Sequence, residues 1–344
     1  MKLLLVGLDG GDYFTLCKFI ERLPYLRAVQ DAGAFGRLES WAFPTTASAW
    51  PSVYSGCTPE EHGISGFRKD GIAPIRRKPF WDVLDCRIGL MNLPLVARRP
   101  DEKFSGFIVP GYSAPRNEVH PPWLQLGKYV IDTTYHQRGR ARWLLRGPKR
   151  LKKRVKEAQV EFLAFNREVE KRRVDKAIEL AKRFEVDLLF VGIMLLDRIG
   201  HAFAHHEATM FDTWKTADNL VGRLVAELRP DNVLLFSDHG MAPADSKRIP
   251  DTVLENEAVA LRKNPNKLNP KGLHTLDGIL LVQGTDVEVV GARLNDIAPT
   301  IFAMFGQPVP EWMSGRVLNM TQDDVFSTWE QEQLEVSLRA LGYI

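Results

Sequence analysis

Short apolar runs spaced along the chain constrain its fold more than any other feature. Leu3 to Leu8, Ile88 to Leu93, Phe107 to Val109, Asp187 to Met194, Asn232 to Phe236 and Gly278 to Val282 are short and nearly continuous in their apolar character. Runs of that kind are strands buried on both faces. Between them lie stretches with helical spacing, including Val174 to Phe184 and Thr213 to Leu228. Alternation of this kind predicts an α/β fold whose doubly wound, mostly parallel sheet is flanked by helices. No fixed-period repeat or low-complexity tract interrupts it.

With 344 residues, 44% hydrophobic and 26% charged, the chain has ample material for a core, and we expect one elaborated domain over residues 1–344. The net charge of +3 is too small for a whole-surface argument for nucleic acid, so any basic binding surface must be local. One such stretch exists. From Arg138 to Lys156 there are ten lysines or arginines and no acid, interleaved with Trp143, Leu144 and Leu145. Glu157 to Arg173 then mixes charges at helical spacing, which places a basic helical insertion, or cap, at residues 131–180. Two readings stay open: a solvated cap, or a surface that gathers anionic substrates, anionic lipid headgroups or nucleic acid. Cys17, Cys57 and Cys86 form no CxxC and no even set, which excludes a zinc knuckle and a disulfide scaffold. The opening apolar run meets Asp9 at once, unlike a signal peptide or transmembrane segment, and the expectation is a cytoplasmic soluble protein.

Acids and histidines sit at the ends of these runs. Asp9 closes the first and is followed by Gly10 and Gly11, which puts a carboxylate in the crevice beyond the strand ends where ligands bind. A dinucleotide fingerprint is excluded, because GxGxxG is absent and the acid precedes the glycines. Asp238 and His239 close the run from Asn232, and Gly240 after them suggests a tight turn. Asp197 and His201, four residues apart, share a face of one helical turn, a chelating spacing. His274 stands just ahead of the last run, while His205 and His206 are read as loop or helix residues. Each signal alone is weak, since turn aspartates, chance DxxxH pairs and filler histidines are common. The hydroxyl-rich segment Phe43 to Ile64 reads as a loop entering a helix. A threonine there could face an anion held by free backbone N–H groups, or serve as an ordinary N-cap.

Taken in order, these motifs resemble the alkaline phosphatase superfamily, in particular its type I phosphodiesterase and nucleotide pyrophosphatase branch with related phosphohydrolases and phosphomutases. Leu3 to Gly10 resembles the opening strand and first metal aspartate. Thr46 to Ser52, Ser55-Gly56, Pro59 and His62-Gly63-Ile64 resemble the nucleophile segment. The likeness extends through Pro79 to Leu84 and resumes at Asp197 to His201, Ser237 to Met241, His274 to Gly284 and Arg293 to Ile301. It implies an alkaline phosphatase-like core and two divalent metal ions, zinc first, with Mn²⁺ or Mg²⁺ as alternatives. By position, Asp197, His201 and His274 would hold one ion and Asp9, Asp238 and His239 the other. Thr46 would be the nucleophile, touching the second ion, in preference to Thr45. His62 would brace the turn after the nucleophile helix.

Two departures matter. Ser55 stands where the family has threonine, and Ser65-Gly66-Phe67-Arg68 replaces the stretch in which nucleotide pyrophosphatases keep a phosphoryl-binding asparagine. Arg68 or Asn92 could supply an alternative anion contact. The expected function is a metal-dependent phosphoester hydrolase acting on a small phosphorylated substrate. The alternatives are phosphoryl transfer to an alcohol and a non-catalytic anion or lipid-surface binding protein. No C/S-x-P-x-R surrounds Thr46, which argues against a sulfatase, and no serine nucleophile or added large domain marks a phosphoglycerate mutase.

Overall fold

The computed structural model describes residues 1–66, 75–96, 104–114, 118–127, 130–131, 152–263, 270–285 and 287–318. Arg68 and the most basic part of the expected insertion, 132–151, lie outside the described residues.

Strands β1 (Leu3–Leu8), β2 (Gly33–Glu39), β3 (Ile88–Leu93), β4 (Gly106–Pro110), β5 (Leu188–Ile193), β6 (Asn232–Phe236) and β9 (Asp277–Gln283) form one seven-stranded sheet in the order β2-β9-β6-β1-β5-β3-β4. A separate ribbon joins β7 (Gly240–Pro243) to β8 (Gly272–Thr275). From β6 to β4 every neighbouring pair is parallel. The mostly parallel, helix-flanked sheet expected from the apolar runs is therefore the fold observed.

One strand departs from the parallel expectation. The run Gly278 to Val282 lies in β9, which pairs antiparallel with both β6 and β2. The reason is connectivity: a parallel return needs a crossover that carries the chain back to the opposite edge. Here the chain leaves β6, makes the β7–β8 ribbon at the carboxyl edge and re-enters the sheet from that same edge. β2 escaped the apolar-run argument because it is a half-exposed edge strand with two glycines among its seven residues.

The central strands separate two apolar layers, which explains their continuous apolar character. Leu4, Val6 and Leu8 of β1 face one layer, which includes Val174, Ala177 and Leu180 of the long helix Lys152–Phe184 and Trp214 and Leu220 of the helix Glu207–Leu228. Leu3 and Leu5 face the other layer, with Trp50 of the helix Thr46–Ser55 and Ile301 of the helix Ile297–Met304. Trp50 is fully buried, with its ring 5.4 Å from Phe236 and 5.9 Å from Phe190. A methyl group placed on Gly7 of β1 would run into the Trp50 ring.

That seat is testable. Gly7→Ala should destabilise the protein by about 1–3 kcal/mol, the usual cost of overpacking a dense core. Urea denaturation should show a lowered midpoint at an unchanged slope; an unchanged midpoint would show that Trp50 does not depend on the gap at Gly7.

Candidate metal centre

The carboxyl ends of β1, β5 and β6 lie side by side, so residues just past them meet. Asp9 follows β1, Asp238 and His239 follow β6, and Asp197 lies in the helix Leu195–Phe203 that follows β5. The Asp197 amide donates to the Asp9 carbonyl at 2.9 Å. Between them Gly10 has a φ of +77°, and a Cβ there would lie 2.8 Å from the Asp197 backbone, so glycine is required twice over. The β7–β8 ribbon supplies the remaining histidine by pairing Met241 with His274, and the His274 ring stacks on that of His239 at 3.7 Å. Gly240 therefore opens a strand instead of making the tight turn expected from sequence. What it provides is space, since a Cβ there would collide with Thr275 and Asp12.

Three imidazoles are held in one tautomer. His239 Nδ1 lies 3.0 Å from the Gly240 carbonyl, His201 Nδ1 3.2 Å from that of Gly272 and His274 Nδ1 2.7 Å from that of Pro44. A carbonyl can only accept, so each Nδ1 carries a proton and each Nε2 is the nitrogen turned inward, where it can give up any proton to a cation and offer its lone pair. His201 Nε2, His274 Nε2 and Asp197 Oδ1 then form a triangle with every edge 3.2 Å. Ligand atoms at about 2.0–2.1 Å from a tetrahedral zinc stand about 3.3 Å apart. In the second group His239 Nε2 lies 3.6 Å from Asp9 Oδ1 and 3.3 Å from Asp238 Oδ2. These three atoms are buried and have no hydrogen-bond partner. His239 also lies within metal-sharing reach of Asp197 and His274, so the two groups adjoin.

The electrostatics agree with the geometry. Burial, then the charges of Asp238 and Asp197, push the Asp9 carboxyl well above its ordinary range. Burial and Asp197 push Asp238 up to about 7. Burial, then the nearby His274, pull His239 well below 6.5. Burial would also raise Asp197, but His201 and His274 outweigh it and hold the carboxyl well below 3.8. Converging lone pairs on buried carboxylates are costly without a cation between them. The donor set, carboxylate oxygen and imidazole nitrogen, fits divalent metal ions.

The hydroxyl segment borders both groups. Pro44 contacts His274, and Trp50 Nε1 donates to Asp9 Oδ2 at 3.2 Å. Thr46, between them, is the first residue of its helix and sits one turn before Trp50 on the same face. Thr45 has its hydroxyl 3.0 Å from that of Ser48, whereas no hydrogen bond engages the Thr46 hydroxyl among the described residues. His62 is absent from the centre: its Nδ1 accepts from the Ile64 amide, and its Nε2 donates to Ser52 Oγ at 2.9 Å.

A family model for type I phosphodiesterase / nucleotide pyrophosphatase matches residues 3–300. The chain belongs to that family. This type I phosphodiesterase family member also shares 29% identity over 147 residues with the 2,3-bisphosphoglycerate-independent phosphoglycerate mutase of Shewanella denitrificans, covering 42% of the chain and 25% of the mutase. It thus spans about a quarter of the length of such relatives. Among solved structures, the alkaline phosphatase PafA superposes with a TM-score of 0.57 at 12% identity, over 94% of this chain and 99% of PafA. The inactive, threonine-to-alanine form of murine ectonucleotide pyrophosphatase / phosphodiesterase 5 in complex with AMP gives 0.53 at 15% identity, over 97% and 99%. These likenesses show an alkaline phosphatase-like fold, and the family is one of phosphoric ester hydrolases.

Asn92 is not brought to the centre of this family member. It is wholly buried at a φ of 57°, and its Nδ2 donates to the Gly192 carbonyl at 2.8 Å, so the amide proposed for an anion is spent inside the sheet. His206 caps the helix Glu207–Leu228, and His205 lines a separate surface cleft with Asp245, Glu257 and Lys271. Sequence reasoning missed the network behind the ribbon. Arg248 donates to both oxygens of Asp12, at 2.7 and 3.1 Å, and to Asp277 at 3.0 Å; Thr275, next to His274, also donates to Asp12. The acids of that network punctuate the same glycine-rich segments as the candidate ligands, but nothing near Arg248 marks it.

The His62 brace has a pH signature. Burial lowers its pKa from 6.5 to about 4, so the unfolded chain takes up a proton that the folded state refuses. The contribution is complete above pH 6.5 and is lost as pH falls toward about 4. Denaturant unfolding should show the stability difference between wild type and His62→Asn shrinking over that window; a constant difference would contradict the buried neutral imidazole.

Proposed function

We propose that the protein is a two-metal phosphoester hydrolase that uses Thr46 as its nucleophile. The observation that carries the reading is the pair of adjoining groups whose Nε2 and carboxylate atoms converge, three of those atoms being buried without a hydrogen-bond partner. Asp197, His201 and His274 would hold one divalent ion, and Asp9, Asp238 and His239 the other. Such ions supply Lewis-acid activation of a hydroxyl and charge neutralisation at phosphoryl oxygens. Zinc suits the nitrogen-rich group best, with manganese or magnesium as alternatives.

The chain's own part follows from position. The Thr46 hydroxyl is uncommitted and lies at the start of a helix of ten residues, where the amides of Thr46 and Ala47 precede the first intrahelical bond, made by Ser48 to the Thr45 carbonyl. Those amides and the helix dipole favour a phosphoryl oxygen beside the hydroxyl. Thr46 Oγ1 attacks phosphorus, the bond to the leaving alcohol breaks, and the alcohol departs with a proton. Water then cleaves the threonine ester and frees the phosphate or phosphomonoester. The murine relative, inactive when a threonine is replaced by alanine, supports this role by analogy. A small phosphorylated substrate is the expected partner. The basic segment 138–156 would gather anionic groups near the surface.

A second reading is transfer of the phosphoryl group to an alcohol instead of water. The stretch shared with a phosphoglycerate mutase favours it. Release of the acceptor's phosphoester, measured with competing alcohols, separates transfer from hydrolysis.

The test is a panel of nitrophenyl phosphate mono- and diesters assayed with Zn²⁺, Mn²⁺ and Mg²⁺ separately. Thr46→Ala should lower turnover by at least about 10³-fold, the scale expected when a covalent nucleophile is removed, while both metals remain bound. Equal turnover by wild type and Thr46→Ala would remove Thr46 from the mechanism.

A further inference from the structure

The long helix Lys152–Phe184 buries two charged side chains, Glu170 and Arg173, each 1% exposed. Arg173 Nη1 donates to Glu170 Oε1 at 3.0 Å, and its Nε donates to the Val130 carbonyl at 3.2 Å. The same Oε1 receives Arg198 Nη1 at 3.5 Å. Arg198 follows Asp197 directly and lies three residues before His201, on the helix Leu195–Phe203. Glu170 Oε2 is buried with no partner. Glu170 Oε1 and the Arg173 guanidinium together thus link three parts: the chain at Val130, bonded by Arg173; the long helix that carries both side chains; and the helix carrying two candidate ligands, reached through Arg198.

Stability alone does not account for this arrangement. Charges taken out of water are repaid only when hydrogen bonding is complete, and apolar replacements of buried ion clusters are often neutral or stabilising. A carboxylate left with one oxygen unpartnered is an incomplete case. What the cluster does supply is direction. The guanidinium of Arg198, reaching the buried carboxylate through Nη1 at 3.5 Å, tethers the helix Leu195–Phe203 to the long helix.

We propose that Glu170 is a positioning residue for the Asp197–His201 half of the centre, acting through Arg198, and that it couples that half to the root of the 132–151 segment. The inference rests on the functional reading above. Glu170 holds the rotation of the helix Leu195–Phe203 at which Asp197 Oδ1 and His201 Nε2 stand 3.2 Å apart. Outer partners of metal ligands typically change metal affinity or activity by about 10- to 100-fold when removed.

The experiment compares full-length wild type, Glu170→Gln and the double variant Glu170→Leu/Arg173→Met, with Val169→Ala as a packing control on the same helix. Hydrogen–deuterium exchange of the metal-free proteins should show residues 195–203 exchanging faster in both Glu170 variants, with residues 232–236 unchanged. The double variant should keep or gain thermal stability. Zinc titrations against a chromophoric chelator should show the weaker of two sites losing about 10- to 100-fold in affinity. Unchanged exchange at 195–203 overturns the proposal, as does a change that Val169→Ala reproduces at equal loss of stability. Exchange is read without metal, so a failure of the two-metal reading would show separately, as wild-type protein that takes up no zinc.

Discussion

The structure turns on a concentration of buried lone pairs. Asp9, Asp238 and His239 point ligand atoms at one another inside the protein, and Asp197, His201 and His274 do the same beside them. Three backbone carbonyls fix the imidazole tautomers that make this so. An assembly of this kind opposes folding unless a cation shares it. The surrounding elements are arranged to hold it open: Gly10 and Gly240 leave room, Trp50 props Asp9, and Arg248 locks the base of the ribbon against Asp12 and Asp277.

The sheet explains why such a site can be built here. Parallel strands deliver their carboxyl ends to one edge, so residues far apart in sequence become neighbours with few additional constraints. β1, β5 and β6 bring three of the four segments. The fourth arrives on a ribbon, and that detour is also what makes β9 run antiparallel. Fold irregularity and site construction are one event.

Much of this was legible in the sequence, for a physical reason. Strands buried on both faces leave continuous apolar runs, and polar residues at their ends stand out against them. Asp9, Asp238 and His239 were visible on that ground. His274 was visible only through resemblance, because the ribbon that carries it is four residues per strand and has no clear alternation. Asn92 misled because it too sits at a strand end, yet a register shift in β3 turns it into the sheet. Glu170, Arg173 and Arg248 were illegible: charged residues in a helix or loop look solvated until tertiary contacts bury them. Thr46 was preferred to Thr45 by resemblance, and among the described residues the Thr45 hydroxyl is engaged with Ser48 while no hydrogen bond engages that of Thr46.

Anomalous diffraction at the zinc absorption edge, from crystals of wild-type protein grown with Zn²⁺, addresses the central claim most directly. The account predicts two peaks per chain, one among Asp9, Asp238 and His239 and one among Asp197, His201 and His274. A single peak, or zinc bound elsewhere with both groups empty, would contradict it.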